Sequence, residues 1–317
     1  MMNKGENEED LLMRQIREGI YPTMITTFTE DNKVDYAGLE KLLAYYEKSG
    51  CDGIFALCLS SEIFHLSDAE MVEMMRFFAK NKPEGLSLIA SSHTSDDVDA
   101  GIRQLASMAE NGAEQPVIIL NRLAMENESE DVVKRNAEKL FNTLPDITFG
   151  IYECPYPYKR MVSDELLDWF AKSGRIGFLK DTCCNAEKIR RRLEIVKGTG
   201  LQLFNANTAT LLDSMRAGGS GFSGVMGNFH ADLYAALWRF HKENDPRADK
   251  LQAFLTVASM IESQLYPTCA KHHLRHLGIP AAITTRNKNI AAFNDNNRCC
   301  ADSLFVMEEE VRKQLSI

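Results

Sequence analysis

The sequence has no run of eighteen or more apolar residues, which is the length that a membrane-spanning helix requires. It also lacks an excess of basic residues, since its formal net charge is −9, and nucleic-acid binding favours a basic surface. The polar, acidic start of the chain, MMNKGENEED, has no apolar segment of the kind found in a secretory signal. We therefore expect a cytoplasmic protein with neither a membrane nor a nucleic-acid partner, whose 44% hydrophobic residues form a globular core.

A recognisable metal-binding pattern is missing as well. The eight cysteines include two adjacent pairs but no Cys-x-x-Cys, so we expect free thiols in a reducing compartment. His272, His273 and His276 lie close together in the sequence, and His272 and His276 could share one face of a helix. No carboxylate occupies the metalloprotease spacing between them, which favours surface histidines over a metal site.

Short apolar runs alternate with amphipathic stretches from about residue 19 to residue 230. This alternation is typical of strands joined by crossover helices, and it predicts a parallel sheet. Residues 39–46 and 71–78 repeat apolar side chains with helical spacing, and Ser67 with Glu70 forms a capping box before the second segment. The clearest strands are apolar on both faces, as buried parallel strands are, and lie at residues 54–57, 86–90, 117–120, 148–152, 176–179 and 201–204.

Two further strands, near residues 21–26 and 221–223, bring the number to eight, which matches the size of a (β/α)8 barrel. A doubly wound open sheet is the alternative, because periodicity alone does not distinguish the two. Beyond residue 230 the pattern is helical, with a loop expected at 281–298 and a last helix at 301–315. The prediction is a flexible arm at 1–17, a barrel at 18–230 and a small C-terminal helical domain at 231–317.

Two strand ends of the predicted barrel carry residues suited to catalysis, and catalytic groups of such barrels lie at the C-terminal ends of strands. Lys180 follows the apolar residues 176–179, where partial desolvation would lower the pKa of its amine and allow attack on a carbonyl. Pairing with Asp181, or extension to solvent, is the structural alternative. Tyr152 ends another apolar run, and its phenol could move protons at a carbinolamine or fill the top of the barrel.

Serine and glycine residues at two other strand ends could contact a small ligand. Ser60 and Ser61 follow the strand at 54–57, where hydroxyls and backbone N–H groups opening a helical turn can hold a carboxylate. A serine pair at a strand end is also common turn chemistry. The glycine-rich residues 218–224, which include Ser223, lack the lysine of a phosphate-binding loop and the spacing of a dinucleotide motif. We interpret them as a close approach of the backbone to a small ligand.

Taken in order, these segments resemble those of the dihydrodipicolinate synthase/N-acetylneuraminate lyase family. The resemblance rests on five segments, PTMITTF (22–28), GIFALCLSSE (53–62), YECP (152–155), GFLKDT (177–182) and GSGFSG (219–224). It implies a (β/α)8 barrel with a C-terminal helical domain, no metal, and a homo-oligomer, either a tetramer or a dimer. It also implies that Lys180 forms a Schiff base with pyruvate or a related 2-oxo acid, and that Tyr152 shuttles protons.

The chain departs from this family at positions that bear on the substrate. The family usually has Gly-Thr-Thr-Gly-Glu at residues 58–62, where Leu59 here lacks the hydroxyl that helps to relay protons. The tyrosine that completes the relay in the synthases corresponds to Leu123. The arginine that holds the carboxylate of the second substrate corresponds to Pro157. Three basic residues lie near these positions and could contact substrate, namely Arg122, Lys159 and Arg160.

The preferred interpretation is a class I aldolase or lyase that acts on a 2-oxo acid and an aldehyde, with a sugar-acid-like partner. Ser60 and the Ser61 N–H group would anchor the carboxylate, while Thr182 and Ser223 would lie near the substrate. No cofactor is expected beyond the covalent imine on Lys180. The alternatives are a 4-hydroxy-tetrahydrodipicolinate synthase, a sugar-acid dehydratase that uses the same imine, and a catalytically idle protein that binds a 2-oxo acid.

Overall fold

Eight parallel strands form the centre of the molecule in the computed structural model, which describes residues 15–279 and 282–317. Residues 1–14 of the predicted N-terminal arm lie outside the described residues. The strands are β1 (Gly19–Ile20), β2 (Gly53–Ala56), β3 (Ser87–Ala90), β4 (Gln115–Ile119), β5 (Phe149–Tyr152), β6 (Ile176–Asp181), β7 (Gln202–Asn205) and β8 (Gly221–Phe222).

The strands close into a barrel. They lie in the order β1-β8-β7-β6-β5-β4-β3-β2, so the first strand is paired with the last. A parallel bridge between Thr23 and Phe55, together with the Met24 N–H that donates to the Phe55 carbonyl at 2.9 Å, joins the first strand to the second. The predicted (β/α)8 barrel is therefore confirmed, and the open doubly wound sheet is excluded.

Helices follow the strands and cover the barrel. None of the described helices is long and apolar enough to cross a membrane. The predicted capping box is confirmed at the start of the second helix, where Ser67 accepts from the Glu70 N–H and Glu70 accepts from the Ser67 N–H. The α-helices in the described residues are α1 (Tyr36–Lys48), α2 (Asp68–Asn81), α3 (Val98–Glu110), α4 (Glu130–Thr143), α5 (Asp164–Ser173), α6 (Ala186–Val196), α7 (Leu211–Arg216), α8 (Gly227–Lys242), α9 (Arg247–Ala258), α10 (Thr268–Leu274) and α11 (Asp295–Leu315).

The C-terminal region is helical, as predicted, but its last helix begins earlier than the sequence pattern indicated. Residues 282–289 are irregular, and α11 begins at Asp295, within the segment predicted to be a loop. The reason is local, because Asn294 and Asn297 form a reciprocal capping box that starts the helix inside a polar stretch.

Glu308 joins α11 to the rest of the C-terminal region. Its buried carboxylate lies 2.6 Å from His230 Nδ1 and 3.2 Å from His273 Nε2. The prediction that His273 is a surface residue is therefore wrong, because its ring is buried against Glu308. His272 and His276 are more accessible to solvent than His273. The Nε2 atom of each lies 2.8 Å from Asp302 Oδ1, so the two rings lie on the same side of their helical segment, as predicted.

Candidate active site

Strands β5 and β6 place the two predicted catalytic residues side by side. Tyr152 is the last residue of β5, and in the parallel register it pairs with Lys180 of β6. Both residues lie at the C-terminal edge of the barrel, where (β/α)8 enzymes carry their active sites. Lys180 Nζ lies 4.4 Å from the centre of the Tyr152 ring and 5.7 Å from the centre of the Phe55 ring.

Lys180 is 4% exposed, and no carboxylate within the described residues forms an ion pair with it. The alternative pairing with Asp181 does not occur, because Asp181 Oδ2 pairs with Arg192 and Oδ1 accepts the Cys183 N–H at 2.8 Å. Burial lowers the pKa of Lys180, which raises the fraction of neutral amine near neutral pH. The neutral amine is the form that attacks a carbonyl carbon.

A buried ion cluster holds the ends of β5 and β6 together. Arg192 of α6, Glu153 and Asp181 are fully buried. Arg192 Nη2 donates to Glu153 Oε1 at 2.7 Å, and Arg192 Nη1 pairs with Asp181. Glu153 Oε2 accepts the N–H of Thr182 at 2.9 Å. The cluster therefore fixes the residues that directly follow Tyr152 and Lys180.

Replacing Arg192 with methionine is expected to lower the free energy of unfolding by about 3–5 kcal/mol, because two buried carboxylates lose their cation. Urea unfolding followed by circular dichroism measures the change. Arg191→Met is the matched control, since the Arg191 side chain is 71% exposed and pairs with Asp164 at the surface. Loss of that surface pair should cost about 1 kcal/mol or less. Equal stability of the two variants would contradict the role of the cluster.

The Tyr152 side chain is a buried, neutral phenol. Burial is the main reason that its pKa lies well above its ordinary value, and the neighbouring thiols of Cys154 and Cys58 raise it further. Phe55 packs edge-on against the Tyr152 ring with the centroids 5.7 Å apart. A protonated phenol beside Lys180 can give a proton to an oxygen that leaves the carbon attacked by the amine.

The turn after β2 presents one of its two serines to a cavity. Ser60 lines that cavity and donates to Thr23 Oγ1 at 3.1 Å. Ser61 does not line it, because its hydroxyl donates to the Met24 carbonyl and accepts the Cys58 N–H at 3.1 Å. The Ser61 N–H donates to the Cys58 carbonyl at 2.9 Å. This geometry gives no support to the predicted contact of the Ser61 N–H with a carboxylate, since the polar groups of Ser61 shape the turn.

Glu62, which belongs to the segment 53–62 but received no role from the sequence, connects this turn to the C-terminal region. Its backbone is left-handed, with φ of 63°, and its carboxylate is buried. Oε1 accepts from Lys271 Nζ at 3.0 Å, and Oε2 accepts the N–H groups of Arg286 at 2.6 Å and Asn287 at 2.9 Å. Glu62 and Lys271 are 209 residues apart, so no local pattern could have indicated the pair.

The cavity beside Lys180 has a volume of about 730 Å³, which is within the range of small-molecule sites. The strand ends of the barrel form one wall, which includes Ser60, Tyr152 and Thr182. The C-terminal region forms another wall, contributed by Glu262, Ser263, Leu265, Tyr266, Pro267, Asn287 and Lys288. The site is thus built from both parts of the chain.

The remaining two predicted substrate contacts differ in their access to the cavity. Thr182 lines it, although its hydroxyl already donates to the Glu153 carbonyl at 3.0 Å. Ser223 is fully buried and does not line the cavity, and its hydroxyl has no hydrogen-bond partner within the described part of the chain. The next residue, Gly224, does line it. Contact through the backbone of the glycine-rich segment is therefore better supported than contact through Ser223.

Lys159 is the one of the three basic residues considered as substrate contacts that lines the cavity. Its ammonium group donates to the backbone carbonyl of Thr182, directly after β6. Arg122 is buried and pairs with Asp96. Arg160 donates to backbone carbonyls of residues 125–128. The two arginines therefore organise loops.

Comparison with known proteins places this arrangement in a family. Residues 17–298 match the model of the Dihydrodipicolinate synthetase family. The chain belongs to this family. A curated relative, the 4-hydroxy-tetrahydrodipicolinate synthase of Lactobacillus acidophilus, is 24% identical over 237 residues, which cover 74% of either chain. The resemblance predicted from the sequence is thus confirmed, and the chain is a lyase of the dihydrodipicolinate synthetase family.

Solved structures of this family share the fold. YagE, a prophage protein from E. coli K12 in complex with pyruvate, has a TM-score of 0.82 at 19% identity, covering 93% of this chain and 98% of YagE. CdNal from Clostridium difficile, in complex with mannosamine, has a TM-score of 0.81 at 17% identity, covering 92% of this chain and 98% of CdNal. Family enzymes bind pyruvate as an imine of a lysine and use no metal cofactor.

Proposed function

We propose that this lyase is a class I aldolase in which Lys180 forms an imine with pyruvate or a closely related 2-oxo acid. The observation that supports the proposal most is the buried Lys180 amine, which lies against the ring of the protonated Tyr152 and has no carboxylate partner within the described residues. An ion pair would keep a lysine charged, whereas burial without one favours the nucleophilic amine. The pyruvate complex of the structural neighbour YagE supports the same assignment.

In the proposed reaction the neutral amine of Lys180 attacks the ketone carbon of the 2-oxo acid. The resulting carbinolamine oxygen takes a proton from Tyr152 and leaves as water, which gives a protonated imine. The imine draws electrons from the carbon–carbon bond one position beyond the imine carbon (C3–C4), so that this bond breaks as the hydroxyl on C4 gives its proton to the Tyr152 phenolate and becomes an aldehyde. The enamine left on Lys180 then takes a proton at C3, and water hydrolyses the imine to release the 2-oxo acid. The reverse sequence joins the enamine to an aldehyde. The Ser60 hydroxyl hydrogen, which is directed at Thr23 Oγ1 in the free protein, turns to the carboxylate and is donated to it throughout.

We infer that the aldehyde half of the substrate is neutral and hydroxylated, as in a 2-keto-3-deoxy sugar acid. Thr182, Asn207 and Glu262 line the cavity and offer groups that exchange hydrogen bonds with hydroxyls. Glu262 has no ion-pair partner within the described residues, and its carboxylate would repel that of an acidic aldehyde. The mannosamine complex of the neighbour CdNal supports a sugar-like partner.

A 4-hydroxy-tetrahydrodipicolinate synthase is the second candidate, because curated relatives carry that name. Such an enzyme must bind the carboxylate of aspartate semialdehyde, and Lys159 and Lys288 are cavity residues that could do so. Leu123 and Pro157 stand against it, since the sequence resemblance implies that they replace the relay tyrosine and the carboxylate-binding arginine of the synthases. A leucine transfers no proton, and a proline offers no charge-assisted hydrogen bond.

Cleavage of 2-keto-3-deoxy sugar acids is expected to exceed condensation of pyruvate with aspartate semialdehyde by about 30-fold or more in kcat/KM. Without a buried charged contact, binding of the semialdehyde carboxylate is weaker by about 2–5 kcal/mol. Each 1.36 kcal/mol in the transition-state free energy is a factor of ten in rate, so the lower bound corresponds to about 30-fold. Coupled assays of pyruvate release and pyruvate consumption measure the two reactions. Condensation with the semialdehyde at about 10⁴ M⁻¹s⁻¹ or more would contradict the preference.

The same assays distinguish the other two candidate functions. Loss of water from the sugar acid without release of pyruvate would indicate a sugar-acid dehydratase. Binding of the 2-oxo acid without any turnover would indicate a catalytically idle protein.

Assembly into a homotetramer or a dimer stays a prediction. Large apolar side chains are exposed in the C-terminal region, and exposed apolar surface is common at protein interfaces. They include Val257, which is 73% exposed, Met260, Val306 and Met307. These side chains support self-association through the C-terminal helices.

A further inference from the structure

Tyr266 brings a hydroxyl from the C-terminal region into the cavity that contains Lys180. It follows the 3-10 turn Ser259–Ser263, which connects α9 to α10. Its side chain lines the cavity together with Ser60 and Lys180. None of the roles proposed above uses this residue.

The position of the Tyr266 oxygen is fixed by Asn228. Asn228 is fully buried, and its Nδ2 donates to the Tyr266 oxygen at 3.1 Å and to the Thr23 carbonyl at 2.8 Å. Its Oδ1 accepts the Tyr46 hydroxyl at 2.6 Å, so that rotation of the amide would break several bonds. Because the Tyr266 oxygen accepts from Asn228, the phenolic hydrogen is left available for donation.

That hydrogen lies beside the proposed carboxylate site. Ser60 donates to Thr23 Oγ1 at 3.1 Å, and Asn228, which donates to the Tyr266 oxygen, also donates to the Thr23 carbonyl, so both hydroxyls are held beside Thr23. Burial raises the pKa of Tyr266 well above its ordinary value, so the phenol keeps its hydrogen at neutral pH. The Tyr266 hydroxyl is therefore a donor next to Ser60.

The turn after β2 supplies few side-chain donors for a carboxylate. A carboxylate has two oxygens with about four acceptor positions. Leu59 has no hydroxyl, and the polar groups of Ser61 are engaged by Met24 and Cys58. Ser60 is thus the one hydroxyl of this turn that faces the cavity, and Tyr266 is the hydroxyl adjacent to it.

We propose that Tyr266 binds the carboxylate of the 2-oxo acid, donating its phenolic hydrogen to one oxygen while Ser60 donates to the other. The assignment rests on the proposed imine at Lys180, since that bond fixes the carboxylate in the cavity. The C-terminal region then takes part directly in recognition of the 2-oxo acid, and a ketone without a carboxylate makes no use of Tyr266.

The test measures the second-order rate constant of borohydride-trapped adduct formation with pyruvate and with hydroxyacetone, a ketone that has no carboxylate. Tyr266→Phe should lower the constant for pyruvate about 10-fold to 100-fold, as expected for a charge-assisted hydrogen bond, and that for hydroxyacetone by less than about 3-fold. Tyr234→Phe is the matched control. Tyr234 is buried, its hydroxyl lies 2.7 Å from Thr208 Oγ1, and neither residue lines the cavity, so both constants should be unchanged.

The outcomes separate this role from the proposed function. If the native protein forms no adduct with pyruvate, both the imine at Lys180 and the role of Tyr266 are overturned. If the native protein traps pyruvate and Tyr266→Phe traps it equally fast, only the role of Tyr266 is overturned. Equal slowing with both ketones would show that Tyr266 serves the shape of the site, which also overturns carboxylate binding.

Discussion

Lys180→Ala is expected to abolish both turnover and the stable mass that pyruvate and borohydride add to the protein. Alanine has no amine, and every later step of the proposed reaction depends on the imine. Intact-mass spectrometry of the native protein should show one adduct, and proteolytic digestion should map it to the peptide that contains Lys180. The trapping rate should rise with pH and level off below the ordinary lysine pKa, because burial lowers the pKa of Lys180.

Lys159→Ala is the matched control for this experiment, since Lys159 lines the same cavity. Its ammonium group donates to a backbone carbonyl, so we expect the adduct to form without it. An unchanged mass of the native protein under saturating pyruvate would contradict the imine. An adduct that persists in Lys180→Ala would place the imine on another lysine.

Tyr152→Phe is expected to slow turnover by about 10²–10⁴-fold, the usual contribution of a positioned acid–base group. The phenylalanine ring preserves the packing against Phe55, so the half-saturating concentration of the 2-oxo acid should change far less than kcat. Steady-state kinetics provide both quantities. Adduct formation should remain detectable but slower, because loss of water from the carbinolamine lacks its proton donor.

Tyr158→Phe makes the same chemical change six residues further along. Its hydroxyl donates to the carbonyls of Asn121 and Ala124, so this variant tests whether disturbance of the loop after β5 could account for the effect. We expect turnover within about 10-fold of the native protein, the loss associated with one neutral hydrogen bond. Near-native turnover in Tyr152→Phe would mean that the proton path uses another group.

The barrel was largely predictable because its parallel strands bury both faces and therefore occur as short apolar runs between polar segments. The first strand was the exception. Residues 21–26 are the more apolar stretch, yet regular pairing is confined to Gly19–Ile20, and the chain then closes the barrel through the single bridge of Thr23. The start of α11 was predicted too late, since its capping asparagines lie in a polar stretch that has no helical periodicity.

The positions of Lys180 and Tyr152 could be predicted because each ends an apolar run, and the ends of adjacent parallel strands converge in space. The partners of these residues could not. Arg192 reaches Glu153 across 39 residues, and Lys271 reaches Glu62 across 209, so neither contact leaves a local pattern. The sequence also could not show that, of two adjacent serines, Ser61 turns inward to Met24.

The contact between Glu62 and Lys271 limits how this chain can be divided or recombined. Both side chains are fully buried, and a carboxylate left there without its cation would carry a large desolvation cost next to the turn that holds Ser60. A barrel cut from the chain after α8 would lose this cation even if all of its strands formed. A chimera that receives its C-terminal helices from another family member must place a basic residue at the position of Lys271.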